Sequence, residues 1–410
     1  MKKNIPLILL ILLFISLLFF GNYQFAKKQP GGTDFLYRWL PTQLVLFENY
    51  KNPYSPAAEY QVELVHHGHP HQDDETPGIF AYPYYTMAVF LPFAFIKDFL
   101  LARAAWMTAM EVAHIGVIWL TLQMAKFKPK KSVIFTLIIF ALFSADFSQA
   151  LIDGNPSSLA TFFAFLSLFF ISRKADKAAG ICLALSTIKP QLVILFFPLI
   201  WFWAFSRQRW TILYSSFFVM LVLFSASFFL LPNWFSEFIK DLTTYTNVAS
   251  PSTPRAILNY WMAASLANYI AWGLTVLSIL IILRTVLFSI GKDFSALLWS
   301  ACLIFTVMPI TGITSAKSNY IAMLPGVILL IWHAYGKLRE KEIWLNFLLF
   351  LWIGLSWFFF YAGRNWVING NLIYFVDFYP LPVVLLALYF FASPFKSSNN
   401  YTRINAEERA

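Results

Sequence analysis

Long apolar runs dominate the chain, and this feature limits the folds that are open to it. The first run, IPLILLILLFISLLFF, begins at residue 5, and comparable runs recur along most of the 410 residues. A helix needs about 20 mainly apolar residues to cross the hydrocarbon core of a bilayer. We count about a dozen such segments, which predicts an all-α polytopic membrane protein with roughly 12 transmembrane helices. Residues 1–410 are expected to form a single integral membrane domain.

The charge composition agrees with this class of protein. Only 12% of the residues are charged, whereas charged residues make up about 25% of soluble domains. The net charge of +10 comes from Lys and Arg clusters between apolar runs, as in the cytoplasmic loops of membrane proteins. We therefore expect the membrane, and not nucleic acid, as a partner. Cys182 and Cys302 both lie inside apolar runs, so no disulfide is predicted.

The distribution of charge predicts an orientation in the membrane. Lys2 and Lys3 precede the first span, which we interpret as uncleaved, and this places the N-terminus in the cytoplasm. Residues 26–78, with seven acidic and four basic residues, form the first expected extracytoplasmic loop, and residues 232–262 form the second. The tail after Pro394 should return to the cytoplasm of this multi-pass cell-membrane protein. The other clusters expected in the cytoplasm lie at Arg173, Arg207, Lys292 and Lys341.

One basic loop conflicts with this orientation. The sequence KFKPKK, residues 126–131, is the most basic loop, yet counting spans at residues 79–96 and 104–125 places it outside. Either the segment interrupted by Pro83 and Pro92 does not cross the membrane, or the charge rule fails here. Both explanations stay open at this point.

The stretch that follows the first span predicts an amphipathic helix on the membrane surface. Apolar residues recur at steps of three and four at Leu36, Leu40, Leu44 and Phe47. Tyr37 and Trp39 would then lie at the level of the lipid headgroups, and Pro41 would kink the helix or mark a second start. Such a helix holds Asp34 at the outer interface. The alternative is that Asp34 is only a helix N-cap, worth about 1 kcal/mol.

Three further motifs and one helix break accompany Asp34. The motifs are KNPYSP (51–56), AYPYY (81–85) and DGNPSS (153–158). Lys189 and Pro190 interrupt an apolar run, and Pro is expected to break the helix there. A lysine within hydrocarbon usually faces a protein interior or a water-filled cavity.

In this order and spacing, the motifs resemble those of glycosyltransferase family 87. Its members are membrane enzymes of the GT-C fold, typified by mannosyltransferases that use polyprenyl-phosphate mannose. The resemblance runs from Asp34 to Trp203. Some of these mannosyltransferases have a Ser-Trp and paired-His motif in a late external loop, where this chain has PITGITSAKSNY with Lys317 and Asn319. This departure leaves the donor sugar, mannose or another hexose or pentose, and the acceptor open.

The resemblance implies that Asp34 is the catalytic residue. A sugar on polyprenyl phosphate leaves with a stabilised phosphate and needs no general acid, so one carboxylate suffices, unlike the pair in a glycosidase. Asp34 would accept the proton of the acceptor hydroxyl in a single inverting displacement. We prefer Asp153 to Asp146 as a second acidic site residue. The cations expected to hold the phosphate are Arg38, Lys189 and Lys317. Further substrate contacts are expected from Tyr37, Asn52, Tyr54, Tyr82 and Asn155.

The sequence HHGHPHQDDE, residues 66–75, suggests metal binding but has no organised ligand spacing. We predict no metal site and no cofactor, and leave a divalent metal as an alternative.

Two other classes of function remain open. A secondary transporter would also have broken helices and an intramembrane lysine, but it should show internal repetition, which is not apparent. A non-catalytic subunit of an envelope-glycan assembly complex would not need Asp34. The chain has no glycine-rich phosphate loop, which argues against a nucleotide-sugar donor.

Overall fold

The computed structural model describes residues 5–72, 75–248, 252–313, 316–335 and 341–392. Lys2, Lys3 and the tail after Pro394 therefore lie outside the described residues, as do the orientations predicted for them.

The described residues are almost entirely helical. The helices of the first half are α1 (Ile5–Lys28), α2 (Thr33–Phe47), α3 (Pro56–His66), α4 (Met87–Ala94), α5 (Phe99–Met124), α6 (Lys131–Phe143), α7 (Ala145–Ile152), α8 (Ser157–Ser172), α9 (Asp176–Leu185), α10 (Pro190–Val193) and α11 (Phe196–Ser206). Those of the second half are α12 (Trp210–Leu230), α13 (Trp234–Val248), α14 (Pro254–Asn259), α15 (Ala264–Ser289), α16 (Phe294–Val307), α17 (Leu324–Tyr335), α18 (Lys341–Asn365), α19 (Phe375–Phe378) and α20 (Pro380–Ala392). Short 3₁₀ helices cover Tyr84–Thr86, Ser186–Ile188, Met308–Thr311 and Lys317–Met323.

The only sheet among the described residues is a small hairpin. Its strands β1 (Val367–Ile368) and β2 (Asn371–Leu372) pair antiparallel, with Val367 opposite Leu372.

The structure confirms an all-α polytopic membrane protein. Seven helices of the described residues are long and apolar enough to cross a membrane, or eight if α6 and α7, bent by 56°, form one span. The expected dozen full-length spans are not confirmed. Several apolar runs are divided into shorter helices, because Pro and polar residues interrupt them, as at Lys189 and Pro190.

The Pro-containing segment at residues 79–96 does not form a membrane-length helix. Helix α4 has 8 residues, which gives a length of about 12 Å against a hydrocarbon core of about 30 Å. The basic loop after α5 lies instead with other basic loops, because Lys130 pairs with Glu342 at 2.7 Å and Lys126 lines a cavity with Asp293. This arrangement favours the first of the two explanations for the charge conflict.

The basic loops meet at one end of the bundle. Nη1 of Arg207 donates to the carbonyl of Gly291 at 3.2 Å, and the indole of Trp203 donates to the carbonyl of Lys292 at 3.0 Å. Arg209 also pairs with Asp176. Arg103, near the start of α5, bonds to the carbonyls of Gln29 and Ile152 beside the start of α2, whereas Lys126 follows the other end of this 26-residue helix. The start of α2 and the basic loops therefore lie at opposite ends of α5.

Helix α2 forms as predicted, but much of its surface is covered by protein. Tyr37 and Trp39 are buried, and Trp39 donates its indole N–H to the carbonyl of Phe93 at 2.9 Å. Phe35 stacks on Trp106 with ring centroids 5.4 Å apart. Helices α3, α4 and α5 cover α2, so Tyr37 and Trp39 contact protein and not lipid headgroups. The apolar period alone does not reveal this tertiary contact. Pro41 lies inside the helix.

Candidate active site

The DGN turn at residues 153–155 packs directly on the start of α2. The backbone N–H groups of Gly32 and Phe35 donate to the carbonyls of Ile152 and Asp153 at 2.9 and 3.2 Å. Gly154 has φ +71°, and a Cβ at this position would lie 2.5 Å from Cβ of Phe35. Only glycine fits both requirements. The close approach brings the residue after it, Asn155, beside Asp34.

The carboxylate of Asp34 accepts two side-chain hydrogen bonds. Oδ1 accepts from Nη1 of Arg38 at 3.0 Å, and Oδ2 accepts from Nδ2 of Asn155 at 2.6 Å. The side chain is 21% exposed. Gly32, with φ 80°, occupies the N-cap of α2, and no side chain caps the helix. The alternative that Asp34 is a helix N-cap is therefore wrong.

Lys189 reaches the same network from the predicted helix break. It lies between the 3₁₀ helix Ser186–Ile188 and α10, which begins at Pro190. Its Nζ donates to Oδ1 of Asn155 at 2.5 Å and to Oγ of Ser157 at 2.6 Å. Ser157 in turn donates to Oδ1 of Asn319 at 3.0 Å. Asn155 thus bridges Lys189 and Asp34.

Arg38 has a second contact besides its ion pair with Asp34. Its guanidinium lies over the ring of Tyr82, 4.4 Å from the centroid, a cation–π arrangement. The predicted i,i+4 ion pair is therefore present. The same arginine side chain also lines a cavity.

A cavity of about 220 Å³ lies against these residues. Four predicted site residues line it, namely Arg38, Tyr82, Asn155 and Lys189. Asp34 adjoins the cavity through its bonds to Arg38 and Asn155. The other lining residues are Ala81, Gln191, Leu242, Tyr245, Ser252, Thr253, Gly312, Ile313, Ala316, Ser318 and Asn319. Two buried cations, Arg38 and Lys189, thus line one cavity, and the carboxylate of Asp34 lies directly behind its lining residues Arg38 and Asn155. Cations in this position suit an anionic ligand.

The family model for glycosyltransferase family 87 matches residues 80–309, more than half of the chain. The chain belongs to glycosyltransferase family 87. No curated protein and no solved structure matches it. The match confirms the resemblance drawn from the motifs, and with the apolar helices it makes this protein a membrane glycosyltransferase.

The matched range of this family 87 enzyme contains Tyr82, Asn155 and Lys189 but begins after Asp34 and Arg38. The assignment of Asp34 and Arg38 to the site rests on their geometry.

Three predicted substrate contacts of the glycosyltransferase lie behind the cavity wall. Tyr54 donates to the carbonyl of Tyr82 at 2.7 Å, and the backbone N–H of Tyr54 is held by Oδ1 of Asn52 at 2.9 Å. Tyr37 donates to the carbonyl of Thr76 at 3.1 Å. None of the three lines the cavity. Their hydroxyl and amide groups fix the loops that position Tyr82, so the expectation of direct contact is corrected here.

Lys317 belongs to a separate buried ion network of the enzyme. Its Nζ lies 2.5 Å from Oδ1 of Asp377 and 3.4 Å from Oδ1 of Asp146. Arg364 pairs with the other oxygen of Asp377 at 3.3 Å, and Trp352 donates to Asp146 at 2.8 Å. Lys317 does not line the cavity, because its ammonium is bound by the carboxylates of Asp146 and Asp377.

Asp153 lies near Asp34, as preferred over Asp146. Burial, followed by the negative charge of Asp34, raises the pKa of Asp153 to about 7. The charge of Asp34, followed by burial, raises the pKa of the Tyr245 phenol to about 12. Both effects indicate that Asp153 and Tyr245 share one electrostatic environment with Asp34.

Sequence reasoning missed several residues of the site. Tyr245, from α13, lines the cavity but belongs to no recognisable motif. Asn319 also lines it and lies in the late loop PITGITSAKSNY, but it was not predicted as a contact. Arg103 of α5 donates to the carbonyls of Gln29 and Ile152 at 2.9 and 3.3 Å, and so joins the end of α1 to the DGN turn. An arginine within a membrane-length helix was a signal that could have identified it.

A larger apolar cavity of about 590 Å³ lies between α17, α18 and α20 and contains none of the predicted site residues. Charged and hydroxyl-bearing groups are needed for glycosyl transfer, so we place the chemistry in the smaller polar cavity.

Proposed function

We propose that the enzyme transfers a sugar from a polyprenyl-phosphate donor to an extracytoplasmic hydroxyl acceptor, on a glycolipid, glycan or protein. The observation that carries this proposal is the carboxylate of Asp34, held by Arg38 and Asn155 beside a cavity that Lys189 also lines. Mannose, or another hexose or pentose, is the sugar that the family resemblance suggests. The GT-C fold is part of the same proposal.

The two cations suit the phosphate of the donor. Arg38 and Lys189 are each only 2% exposed, and buried charges need compensating charges. Arg38 has Asp34 as its partner, whereas the hydrogen bonds of Lys189 go to the neutral side chains of Asn155 and Ser157. A phosphate in the cavity would compensate Lys189 and stabilise the charge that develops on the leaving group.

Asp34 suits the role of general base. Its hydrogen bonds to Arg38 and Asn155 orient the carboxylate but leave oxygen lone pairs for an acceptor hydroxyl. In the proposed reaction the acceptor oxygen bonds to the anomeric carbon as the bond to the phosphate oxygen breaks. The hydroxyl proton goes to Asp34, and the bonding electron pair leaves with the phosphate, so configuration inverts.

The extracytoplasmic side follows from the positive-inside rule. The basic loops contact one another at one end of the bundle, at Arg207, Lys292 and Lys130. If that end is cytoplasmic, then the start of α2 and its cavity face the outside of the cell membrane. A lipid-linked donor would reach the cavity from the membrane.

The test is a transfer assay with purified enzyme in detergent or lipid nanodiscs. Radiolabelled polyprenyl-phosphate mannose, other polyprenyl-phosphate sugars and nucleotide sugars are supplied separately, and loss of label from the donor is measured. The Asp34→Asn variant serves as the matched control. Turnover of a nucleotide sugar with every polyprenyl donor inert would contradict the proposal.

A further inference from the structure

The first external segment carries a cluster of side chains that glycosyl transfer does not use. Four of the six histidines of the chain lie between His66 and His71. The structure folds this segment back on α3, so that ligand atoms of Glu59, Glu63 and His71 all lie within 4.8 Å of one another. We propose that these three residues bind a divalent transition-metal ion of the Zn²⁺ type.

The donor set determines the class of metal. Zn²⁺ accepts imidazole nitrogen and carboxylate oxygen together, with three protein ligands and one water as a common arrangement. Ca²⁺ and Mg²⁺ prefer oxygen ligands alone. Zn²⁺ holds its nitrogen and oxygen ligands at about 2.1 Å, so two ligands of one ion lie at most about 4.2 Å apart. Small side-chain rotations therefore bring the three ligand atoms, now within 4.8 Å of one another, into its coordination sphere.

Glu63 is already oriented for this role by the backbone. Its Oε2 accepts from the N–H of His71 at 3.1 Å, and its Oε1 accepts from the N–H of Gly78 at 3.2 Å. Metal-binding carboxylates are typically held by such outer hydrogen bonds. The residue is 4% exposed, which keeps the carboxylate in one position.

His71 provides the route for the ion. Its side chain is 40% exposed, and its Nδ1 lies 2.5 Å from Oε1 of Glu63. A metal ion bound here replaces the hydrogen bond between these two atoms. Glu59 lies one helical turn before Glu63 on α3, and a cation between them removes the repulsion of two like charges at this spacing.

The ion has a structural consequence for the active site. It fastens His71 to α3, and Gly78, which also bonds to Glu63, leads directly to Tyr82, whose ring packs on Arg38. The metal therefore stabilises the outer wall of the cavity without contacting Asp34.

The test uses chelator-treated, full-length protein in detergent and measures Zn²⁺ affinity by competition with a chromophoric chelator. We expect one Zn²⁺ per chain at this site, and at least tenfold weaker binding in Glu59→Gln and in His71→Asn. Glu63 is left unchanged because it also supports the backbone.

His69 provides the matched control. It belongs to a neighbouring group, 3.8 Å from Glu75, so His69→Asn should keep the wild-type affinity. Zn²⁺ should also raise the melting temperature of the wild type and of His69→Asn, but not that of His71→Asn. Wild-type affinity in His71→Asn, or an equal loss in His69→Asn, would overturn the assignment. Neither the Zn²⁺ affinity nor the melting temperature depends on sugar transfer. A negative result for the metal site would therefore leave the proposed function unaffected.

Discussion

The amide of Asn155 donates a 2.6 Å hydrogen bond to Asp34, a residue 121 positions away in the sequence. The same side chain accepts from Lys189 through its other atom. One neutral residue therefore couples the proposed base to the proposed phosphate ligand.

Asp34→Asn should lower turnover by about 10²- to 10⁴-fold, because the amide cannot accept the proton of the acceptor hydroxyl. The substitution is nearly isosteric, so the melting temperature should change little. Turnover with a labelled donor and thermal denaturation in detergent measure the two quantities. Near-normal turnover would remove Asp34 from the catalytic role.

Asn155→Ala should reduce kcat by about 10²-fold, because a displaced carboxylate of Asp34 no longer meets the acceptor in the productive geometry. Asn52 provides a matched control, since its side chain only holds the backbone N–H of Tyr54. Asn52→Ala should cost about 1 kcal/mol of stability with little effect on kcat. Equal kinetic losses in both variants would indicate a general packing effect.

Lys189→Met should raise the KM for the donor by at least about tenfold, since a charge-assisted hydrogen bond to phosphate is worth about 1.5–3 kcal/mol. The fold should survive, because the bonds of Lys189 go to neutral Asn155 and Ser157. Steady-state kinetics with increasing donor concentration test this expectation. An unchanged donor KM would make Lys189 a structural residue.

Lys317→Met should lower the stability of the protein and leave the donor KM unchanged, in contrast with Lys189→Met. Removing this ammonium leaves Asp146 and Asp377 buried without it, which is expected to destabilise the protein by about 3–5 kcal/mol. The donor KM of the folded fraction should stay at the wild-type value. A raised donor KM at an unchanged melting temperature would instead indicate that Lys317 binds the donor phosphate.

The pKa of Asp153, raised to about 7 by burial and by Asp34, predicts a pH dependence of stability. An unfolded Asp titrates near pH 3.9, so between about pH 4 and 7 the folded protein binds more protons than the unfolded chain. Stability should therefore fall as pH rises through this interval, and level off above it. Asp153→Asn should be more stable than wild type at pH 8, with a smaller difference at pH 4. Melting temperatures across this range measure the effect, and parallel curves would contradict it.

Cysteine labelling tests the orientation. Cys182 and Cys302 are buried, so introduced cysteines should react over a low background. A membrane-impermeant reagent should label Lys51→Cys from outside intact cells, and label neither Arg207→Cys nor Lys128→Cys; all three positions are exposed. If Lys128→Cys and Lys51→Cys were both labelled and Arg207→Cys were not, residues 126–131 would lie outside the cell.

The sequence indicated the charged residues of the candidate site better than it indicated the directions of its tyrosine side chains. Asp34 and Lys189 could be selected as candidates from the sequence because each is a charge in an apolar context, which is costly without a partner. Tyr37 and Tyr54 were placed in the correct region, but their hydroxyls bond to the carbonyls of Thr76 and Tyr82 instead of facing the cavity. Which way such a side chain points depends on the packing of its loop, and a single sequence does not contain that information.

The sequence by itself determined the helical membrane class, a helix within residues 34–50 and the break at Pro190, because these follow from local backbone and solvation energies. Only the tertiary structure decided that α2 is buried, that Lys317 faces Asp377, and that Asn155 meets Asp34. Each of these contacts joins segments far apart in the chain. Their existence depends on how closely two backbones approach, as Gly154 and Phe35 do, and not on the preferences of either segment alone.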